Sequence, residues 1–205
     1  MSSIEKLTEI FTKFPGIGPR QAKRFVLFLL TKDRYFLEDI SRTILSLKKN
    51  IKVCKFCQRF YQSEYNDVSF CKICSDKSRE SSLLMIVEKD ADLDNIERTN
   101  VYNGKYFVLG GVVPILEAHP ENIVRTEELL TLLREEIKNN GLKEVIIATS
   151  VNPEGDNTLS YLNGLLKEFA KDSLKISTMG RGLSTGTELE YSDSDTLRAA
   201  LENRH

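Results

Sequence analysis

The chain has 205 residues, of which 40% are apolar and 29% charged, a composition that excludes collagen-like, disulfide-scaffold and disordered classes. No apolar run is long enough to cross a bilayer, and the first six residues lack a secretory signal pattern, so we expect a cytoplasmic protein. The net charge of −1 is unevenly distributed, since residues 1–60 carry a local charge of +8 and residues 61–205 carry −9. A basic first third could bind a polyanion, but small basic helical regions are also common and merely solvated.

Three amphipathic helices are predicted within the first fifty residues, because apolar side chains recur there at helical spacing, over about 4–13, 19–30 and 35–48. The segment Phe14–Pro19 separates the first two helices. Pro19 suits a first helical turn, where its missing N–H group would have no helical partner in any case.

The Pro-Gly-Ile-Gly-Pro turn between these helices predicts a phosphate-binding site. Gly16 and Gly18 lack Cβ atoms, so the backbone can approach a ligand closely, and the N–H groups that begin the second helix attract an anion. Three basic residues lie on that helix, away from its apolar stripe: Arg20, Lys23 and Arg24. This combination resembles the helix-hairpin-helix DNA-binding motif, which contacts phosphates rather than base edges. The alternative is an ordinary helix–helix turn with a solvated basic face.

All four cysteines of the chain lie within residues 53–77, in a CxxC-x13-CxxC arrangement: Cys54, Cys57, Cys71 and Cys74. Each pair places two thiolates on a tight turn, and four sulfurs around one ion make a closed tetrahedral zinc site. A redox CxxC needs only one pair, and a disulfide framework is typical of exported proteins. We therefore predict one structural Zn²⁺ per chain, with no open position for catalysis.

Beyond the cysteines, short continuous apolar runs alternate with helical patterns, which predicts a mainly parallel sheet covered by helices. The strand-like runs cover residues 83–87, 107–109, 145–148 and, more weakly, 174–179. The helical patterns cover about 126–139 and 156–171, and a last helix is predicted over 194–202. The expected fold class is α/β and multidomain, with a helical N-terminal region, a small cysteine finger, a helix-flanked parallel sheet, and a C-terminal loop and helix.

Acidic residues follow two of these strands at their carboxyl ends: Glu88, Asp90, Asp92 and Asp94 after the first strand, and Glu154 and Asp156 after the third. Open α/β sheets build their sites at this edge. The acidic cluster could therefore hold Mg²⁺ through oxygen ligands. Surface loops are rich in Asp and Glu in any case, so these residues alone leave the point open.

The order of these features, a Pro-Gly-Ile-Gly hairpin, a four-cysteine finger and a sheet that opens on Val-Glu, resembles the bacterial recombination mediator family RecR. Val87, Glu88, Asp92, Ile96 and Glu97 are similar to the start of the family's Toprim domain. Further matches run along the chain: residues 102–111 to its YxGxYHVLGG segment, residues 148–162 to its ATxPxxEGExTAxYL stretch, and residues 182–197 with Arg204 to its C-terminal GxPxGxxLEYxDxxTL signature and final Arg.

The chain departs from the family pattern at several positions. Phe107 replaces the usual His, and residues 117–120 replace a glycine-containing turn. Thr178, Ser184 and Thr187 stand where the family usually has Arg, Pro and Gly. These departures bear on the C-terminal loop and on the partner surface around it.

The resemblance implies four segments: a helix-hairpin-helix region over 1–52, a four-cysteine zinc finger over 53–78, a Toprim domain over 79–176 and a C-terminal assembly segment over 177–205. It implies a ring-shaped homo-oligomer, a tetramer or dimer of dimers, that can encircle single- or double-stranded DNA without sequence specificity. Members of the family act with RecO, and often with RecF, to load RecA onto single-stranded DNA at gaps and breaks in recombinational repair.

By position, Arg20 and Arg24 match the family's DNA-contacting residues. The family's Toprim acidic residues, which are associated with RecO contact and with metal, are matched by Glu88, Asp92, Glu154 and Asp156. We therefore expect a non-catalytic DNA-binding repair protein, cytoplasmic and nucleoid-associated during repair, with no membrane partner. The alternative is a Toprim-type metal-dependent nuclease or nucleotidyl-transfer enzyme, because this fold also serves topoisomerases, primases and nucleases.

Overall fold

The chain divides into two compact units, Met1–Lys52 and Val53–His205, in the computed structural model. The structure describes residues 1–63, 69–170, 174–180, 182, 183, 186, 188, 190, 192 and 194–202, with only the backbone for residues 48, 195, 199 and 202. Over these ranges, no helix is long and apolar enough to cross a membrane.

Helices make up almost all of the first unit: α1 (Ser3–Thr12), α2 (Pro19–Leu30) and α3 (Arg34–Asn50). Their bounds agree with the predicted ones to within two residues. Side chains cap the starts of α1 and α3, where Ser2 Oγ accepts from Glu5 N at 3.3 Å and Asp33 Oδ1 accepts from Phe36 N at 2.8 Å. Each cap satisfies an N–H group that has no partner inside the helix.

The first unit buries little of its apolar surface. The rings of Phe11 and Phe25 meet edge to face, with centroids 6.0 Å apart. Ala22 and Val26 are the two buried apolar residues in the described part of this unit. Large apolar side chains stay exposed along α2 and α3: Leu27, Phe28, Leu30, Ile44, Leu45 and Leu47. A protein surface this rich in exposed apolar groups is typical of an interaction surface.

From residue 51 onward, strands and helices alternate as follows: β1 (Ile51–Val53), β2 (Phe60–Gln62), α4 (Lys72–Ser75), β3 (Glu80–Val87), α5 (Asp90–Thr99), β4 (Gly104–Val108), a 3-10 turn (Pro120–Asn122), α6 (Thr126–Asn140), β5 (Glu144–Ala148), α7 (Pro153–Ala170), β6 (Lys175–Thr178) and α8 (Ser194–Glu202). Strands β1 and β2 pair with each other, and the other four form a parallel sheet in the order β4-β3-β5-β6. The predicted parallel sheet flanked by helices is therefore confirmed.

Alternate residues of the central strand β3 enter two separate cores. Leu84 and Ile86 belong to the larger core, which α6 and α7 cover with Leu129, Leu133, Leu162 and Leu166. Met85 and Val87 belong to the smaller core, which contains Leu93 from α5. Successive side chains of a strand point to opposite faces, so burial of both faces accounts for the unbroken apolar run at 83–87.

The structure corrects two sequence expectations on the acidic segments. Asp90, Asp92 and Asp94 lie on helix α5, which the sequence analysis did not predict. Helix α7 begins at Pro153 rather than near residue 156, so Glu154 and Asp156 lie in its first turn.

The structure also corrects the bounds of one strand. The strand predicted at 107–109 spans Gly104–Val108 instead.

Three departures from the family pattern can be located in the fold, and one of them, residues 117–120, leads into the 3-10 turn that begins at Pro120. Phe107 is fully buried in the larger core, where an apolar ring suits its surroundings better than an imidazole. Thr178 is the exposed last residue of β6. Ser184, Thr187 and Arg204 lie outside the described residues, as do Leu189, Tyr191 and Asp193 of the C-terminal signature.

Candidate functional site

The four cysteines come together at one point. Cys54, Cys57 and Cys71 are buried, and their sulfurs and that of Cys74 all lie within 4.8 Å of one another. The sulfurs of Cys57 and Cys71 are 3.6 Å apart, close to the edge of about 3.8 Å that Zn–S bonds of about 2.3 Å give in a tetrahedron. The cluster therefore fits a four-sulfur metal site, as its spacing predicted.

Backbone hydrogen bonds shape both turns of the cysteine cluster. Gln58 N donates to Cys54 O at 2.9 Å, and Ser75 N donates to Cys71 O at 3.0 Å, so each CxxC closes a turn that brings its two thiols to one side. Cys71 N also donates to Cys54 Sγ at 3.3 Å, which joins the two turns.

The four thiols perturb one another's pKa values. Hydrogen bonds with Cys57, Cys71 and Cys74 lower the pKa of the Cys54 thiol. Hydrogen bonding with Cys54 raises the pKa of Cys57 and of Cys74. Binding of Zn²⁺ requires four thiolates and therefore releases the remaining protons, which makes metal affinity pH-dependent. Four cysteine sulfurs, three of them on buried residues, are the donor set that zinc prefers in structural sites.

Hydrogen bonds tie this cysteine finger to the parallel sheet. Val108 N, at the end of β4, donates to Cys57 O at 2.8 Å. Arg125 Nη1 bridges the two elements, since it donates to Gln58 O at 2.7 Å and to Val108 O at 3.0 Å. These hydrogen bonds join the cysteine finger to the end of β4.

The acidic residues of α5 are occupied by structural contacts. Asp90 Oδ1 accepts from Phe60 N at 2.8 Å, and Asp94 Oδ1 pairs with Arg59 Nη2 at 2.8 Å. Asp92 Oδ2 accepts from Lys89 N at 2.9 Å and so caps its own helix. Asp90 and Asp94 therefore hold the cysteine finger against helix α5, a role that the sequence did not reveal.

Glu88 is buried at the carboxyl end of β3 and binds the loop that follows β5. The whole residue is only 2% exposed. Oε1 accepts from Ser150 N and Oε2 accepts from Ser150 Oγ, both at 2.7 Å. Hydrogen bonds to a charged acceptor are stronger than neutral ones. Both carboxylate oxygens of Glu88 are thus engaged in holding Ser150.

The same loop packs tightly against the start of α7. A Cβ atom on Gly155 would overlap the carbonyl oxygen of Ser150, so this position accepts only glycine. Gly155 N donates to Asn152 Oδ1 at 2.8 Å. Glu154 and Asp156 flank this buried glycine and are exposed. Glu88, through Ser150 and Gly155, therefore determines where the acidic first turn of α7 lies.

The predicted acidic residues do not come together as the cysteines do. Over the described residues, the group of three or more His, Cys, Asp or Glu side chains that could hold a metal ion is the cysteine cluster. Glu88, Asp92, Glu154 and Asp156 are placed at the carboxyl edge of the sheet, as predicted, but they form no such group.

The hairpin turn between α1 and α2 has the geometry that its glycines predict. Gly16 has a φ of +75°, a left-handed conformation that glycine adopts without strain. Gly18 is the N-cap of α2, and no side chain caps that helix. A Cβ atom at Gly18 would meet nothing within 4 Å. Packing within the chain therefore does not explain this glycine.

The three basic residues of α2 are exposed, as the helical pattern predicted: Arg20, Lys23 and Arg24. Ala22 and Val26, on the other side of the same helix, are buried. The basic side chains thus follow the uncapped helix start on its solvent side. Such an arrangement of N–H groups and cations can bind phosphate oxygens.

Sequence reasoning missed three residues that shape these sites. Ser150 occupies an unspecified position of the 148–162 stretch, Arg125 carries no motif, and the partners of both are far away in the chain. Gly155 was visible as the glycine between two acids of that stretch, and its packing against Ser150 gives the reason for it.

Comparison with known proteins agrees with the resemblance. The family model described as RecR, helix-hairpin-helix matches residues 4–47, the Toprim domain model matches residues 82–179, and RecR, C-terminal matches residues 182–205. Recombination protein RecR of Chloroherpeton thalassium is 36% identical over 202 residues, which cover 98% of this chain and 96% of that protein.

Two further relatives carry the same name. Recombination protein RecR of Ligilactobacillus salivarius is 36% identical over 98% of this chain and 96% of its own length. That of Bacteroides thetaiotaomicron is 36% identical over 98% of this chain and 92% of its own length. With matches of this identity over nearly the whole length, the chain belongs to the RecR family of recombination proteins.

Proposed function

We propose that the chain is a non-catalytic DNA-binding recombination mediator, which acts with RecO, and with RecF, to load RecA onto single-stranded DNA at gaps and breaks. The observation that carries this proposal is the hairpin turn of the first unit. Its open glycines, uncapped helix start and exposed Arg20, Lys23 and Arg24 form a phosphate-binding surface.

The hairpin surface binds the backbone of single- or double-stranded DNA without reading sequence. Backbone N–H groups and flexible cations recognise phosphates, which are the same at every step of the strand. Binding of this kind weakens steeply with salt, because each neutralised phosphate releases condensed counterions. A loading factor benefits from such binding, since gaps arise at any sequence.

A homo-oligomer, a tetramer or dimer of dimers, accounts for the exposed apolar side chains of α2 and α3. Leu45 is 78% exposed and Leu30 is 63% exposed. Leaving such side chains in water is unfavourable by about 25 cal/mol per Å² of apolar surface. We propose that the helical unit, over residues 1–52, is one assembly surface and that the C-terminal segment, over residues 177–205, is another.

The remaining two segments support this assembly. The finger over residues 53–78 binds one structural Zn²⁺, and the Toprim domain over residues 79–176 carries the contact surface for RecO. Glu154 and Asp156 lie at the carboxyl edge of the sheet, where Glu88 and Ser150 hold their helix start in place. Asp92 caps α5 at the same edge, and Mg²⁺ is not required for this role. Such a protein acts in the cytoplasm, at the nucleoid during repair.

Salt-dependent binding of the zinc-loaded chain to labelled single-stranded DNA tests the proposal. Replacing Arg20 and Arg24 with Ala should weaken binding and reduce the slope of log K against log [salt] by about 1.4, at about 0.7 per lost phosphate contact. The matched control replaces Arg98 and Arg134, two exposed arginines of the second unit, with Ala. An unchanged slope in the hairpin variant would show that Arg20 and Arg24 do not contact DNA phosphates.

A cleavage assay separates the mediator from a Toprim nuclease. Labelled DNA is incubated with the protein and Mg²⁺ or Mn²⁺. No cleavage is expected, because the acidic residues form no group that could hold a metal ion among the residues that the structure describes. Cleavage that disappears in Glu88→Gln would instead establish a metal-dependent enzyme.

A further inference from the structure

The loop between β4 and α6 carries two large apolar side chains that are exposed to solvent. Glu117 N donates to Pro114 O at 3.1 Å, so Ile115 and Leu116 occupy the corners of a β-turn. Leu116 is 96% exposed and Ile115 is 59% exposed. Turn corners usually carry Gly, Pro, Asn, Asp or Ser. We call these two residues the apolar tip.

Buried hydrogen bonds hold the base of this turn on helix α7. Val113 N donates to Thr158 Oγ1 at 2.8 Å, and Val113 is itself buried. Asn157 Nδ2 donates to Val113 O at 3.0 Å and to Pro114 O at 3.2 Å. The apolar tip is therefore presented on a fixed base, so little conformational entropy is lost when a partner covers it.

Acidic residues follow the apolar tip in the chain and lie at the start of the helix that holds its base. Thr158 and Asn157 are one helical turn from Glu154, and Thr158 Oγ1 donates to Glu154 O at 2.7 Å. Residues 110–123 and 149–158 together contain four acids and no Lys or Arg: Glu117, Glu121, Glu154 and Asp156. We call these four residues the acidic rim.

We propose that the apolar tip and the acidic rim form one docking surface, on which a partner protein places an apolar cleft edged by Lys and Arg side chains. An apolar centre with a charged rim is the usual anatomy of a protein–protein interface. The inference rests on the proposed function, because the rim includes the acids assigned to partner contact.

Charge complementarity selects this partner over other ligands. DNA and anionic membranes would be repelled by four carboxylates that no Lys or Arg of the two segments offsets. A basic protein surface is attracted by them, and the apolar tip then fills its cleft. The apolar tip should mainly affect the dissociation rate constant, because buried apolar contacts slow dissociation. The acidic rim should mainly affect the association rate constant, because charges at the rim of an interface speed association.

Surface plasmon resonance with RecO of the same organism tests the surface. The variant replaces both Ile115 and Leu116 with Ser, and it should bind RecO at least about tenfold more weakly through faster dissociation. Glu154→Gln should mainly slow association and reduce its salt dependence. The control, Val101→Ser, alters a residue that is 84% exposed at the opposite edge of the sheet, and it should bind normally.

The outcomes distinguish the surface from the function on which it rests. Wild-type protein that binds DNA but not RecO would overturn the RecO partnership and the docking surface together. A tip variant that binds RecO as tightly as the wild type does would overturn the docking surface alone. A tip variant whose oligomeric state changes in light scattering would show that a second copy of the chain occupies the tip, which also overturns the proposal. Unchanged thermal unfolding of the variant is expected, because both side chains are exposed.

Discussion

The buried contact between Glu88 and Ser150 makes a quantitative prediction. Ser150→Ala removes the Oγ–H donor, at 2.7 Å, from a carboxylate whose residue is 2% exposed. A hydrogen bond to a charged group contributes about 1.5–3 kcal/mol, and here the acceptor, Glu88, is buried while the donor, Ser150, is exposed. We expect the variant to be destabilised by about that amount.

Urea and thermal unfolding of the zinc-loaded protein, followed by circular dichroism, measure this change. For a unit of this size a loss of 1 kcal/mol lowers Tm by about 2–4 °C, so Tm should fall by about 3–12 °C. The matched control is Ser41→Ala, because Ser41 Oγ donates to Leu37 O at 2.9 Å on an exposed helix face. That control should change stability by less than about 0.5 kcal/mol.

A double-mutant cycle with Glu88→Gln then assigns the loss to this pair. The two substitutions should be coupled, because each removes part of one two-bond contact. Ser150→Ala should also weaken RecO binding more than DNA binding, since Ser150 holds the start of α7. A cost below about 0.5 kcal/mol, or additive effects in the cycle, would refute the view that Glu88 holds this loop.

Three further predictions follow from packing, metal and charge. Gly155→Ala should destabilise the protein by about 2 kcal/mol or more in urea, because its Cβ would overlap the Ser150 carbonyl oxygen. Metal analysis should find one Zn²⁺ per chain. Removal of the metal by a chelator should lower the urea midpoint of unfolding, and an unchanged midpoint would show that the metal has no structural role. The hydroxyl of Ser177 and then the ammonium of Lys175 hold the pKa of Glu144 below its usual value of 4.5. These contacts therefore stabilise the folded protein above pH 4.5, and this contribution is lost as the pH falls below that value. On acidification, the Glu144→Gln variant should lose less stability than the wild type does, by at most about 1 kcal/mol.

Local patterns in the sequence were enough to predict most of the fold. Helices α1–α3 and the buried strands follow from apolar spacing, and the cysteine site follows from its two CxxC turns. Helix α5 was missed because its apolar side is short, with Leu93 buried and Ile96 partly buried among acidic neighbours. Its start is instead set by Asp92, whose side chain accepts from Lys89 N.

Long-range pairing limits what the sequence predicts of the sites. Glu88 was identified as a candidate, but its partner Ser150 is 62 residues away, at an unspecified position of the 148–162 stretch. Arg125 likewise reaches Gln58, 67 residues earlier in the chain. The sequence alone assigns no element or role to Ile115 and Leu116, and their exposure follows only from the turn that carries them.

RecA loading tests the proposed function most directly. Single-stranded DNA coated with single-strand-binding protein is mixed with RecA, and the lag before RecA hydrolyses ATP is measured. The lag should shorten when this protein and RecO are both present, and it should stay long with the variant that replaces Arg20 and Arg24 with Ala. A lag that neither protein shortens, or that the variant shortens as well as the wild type does, would contradict a mediator that works through its hairpin.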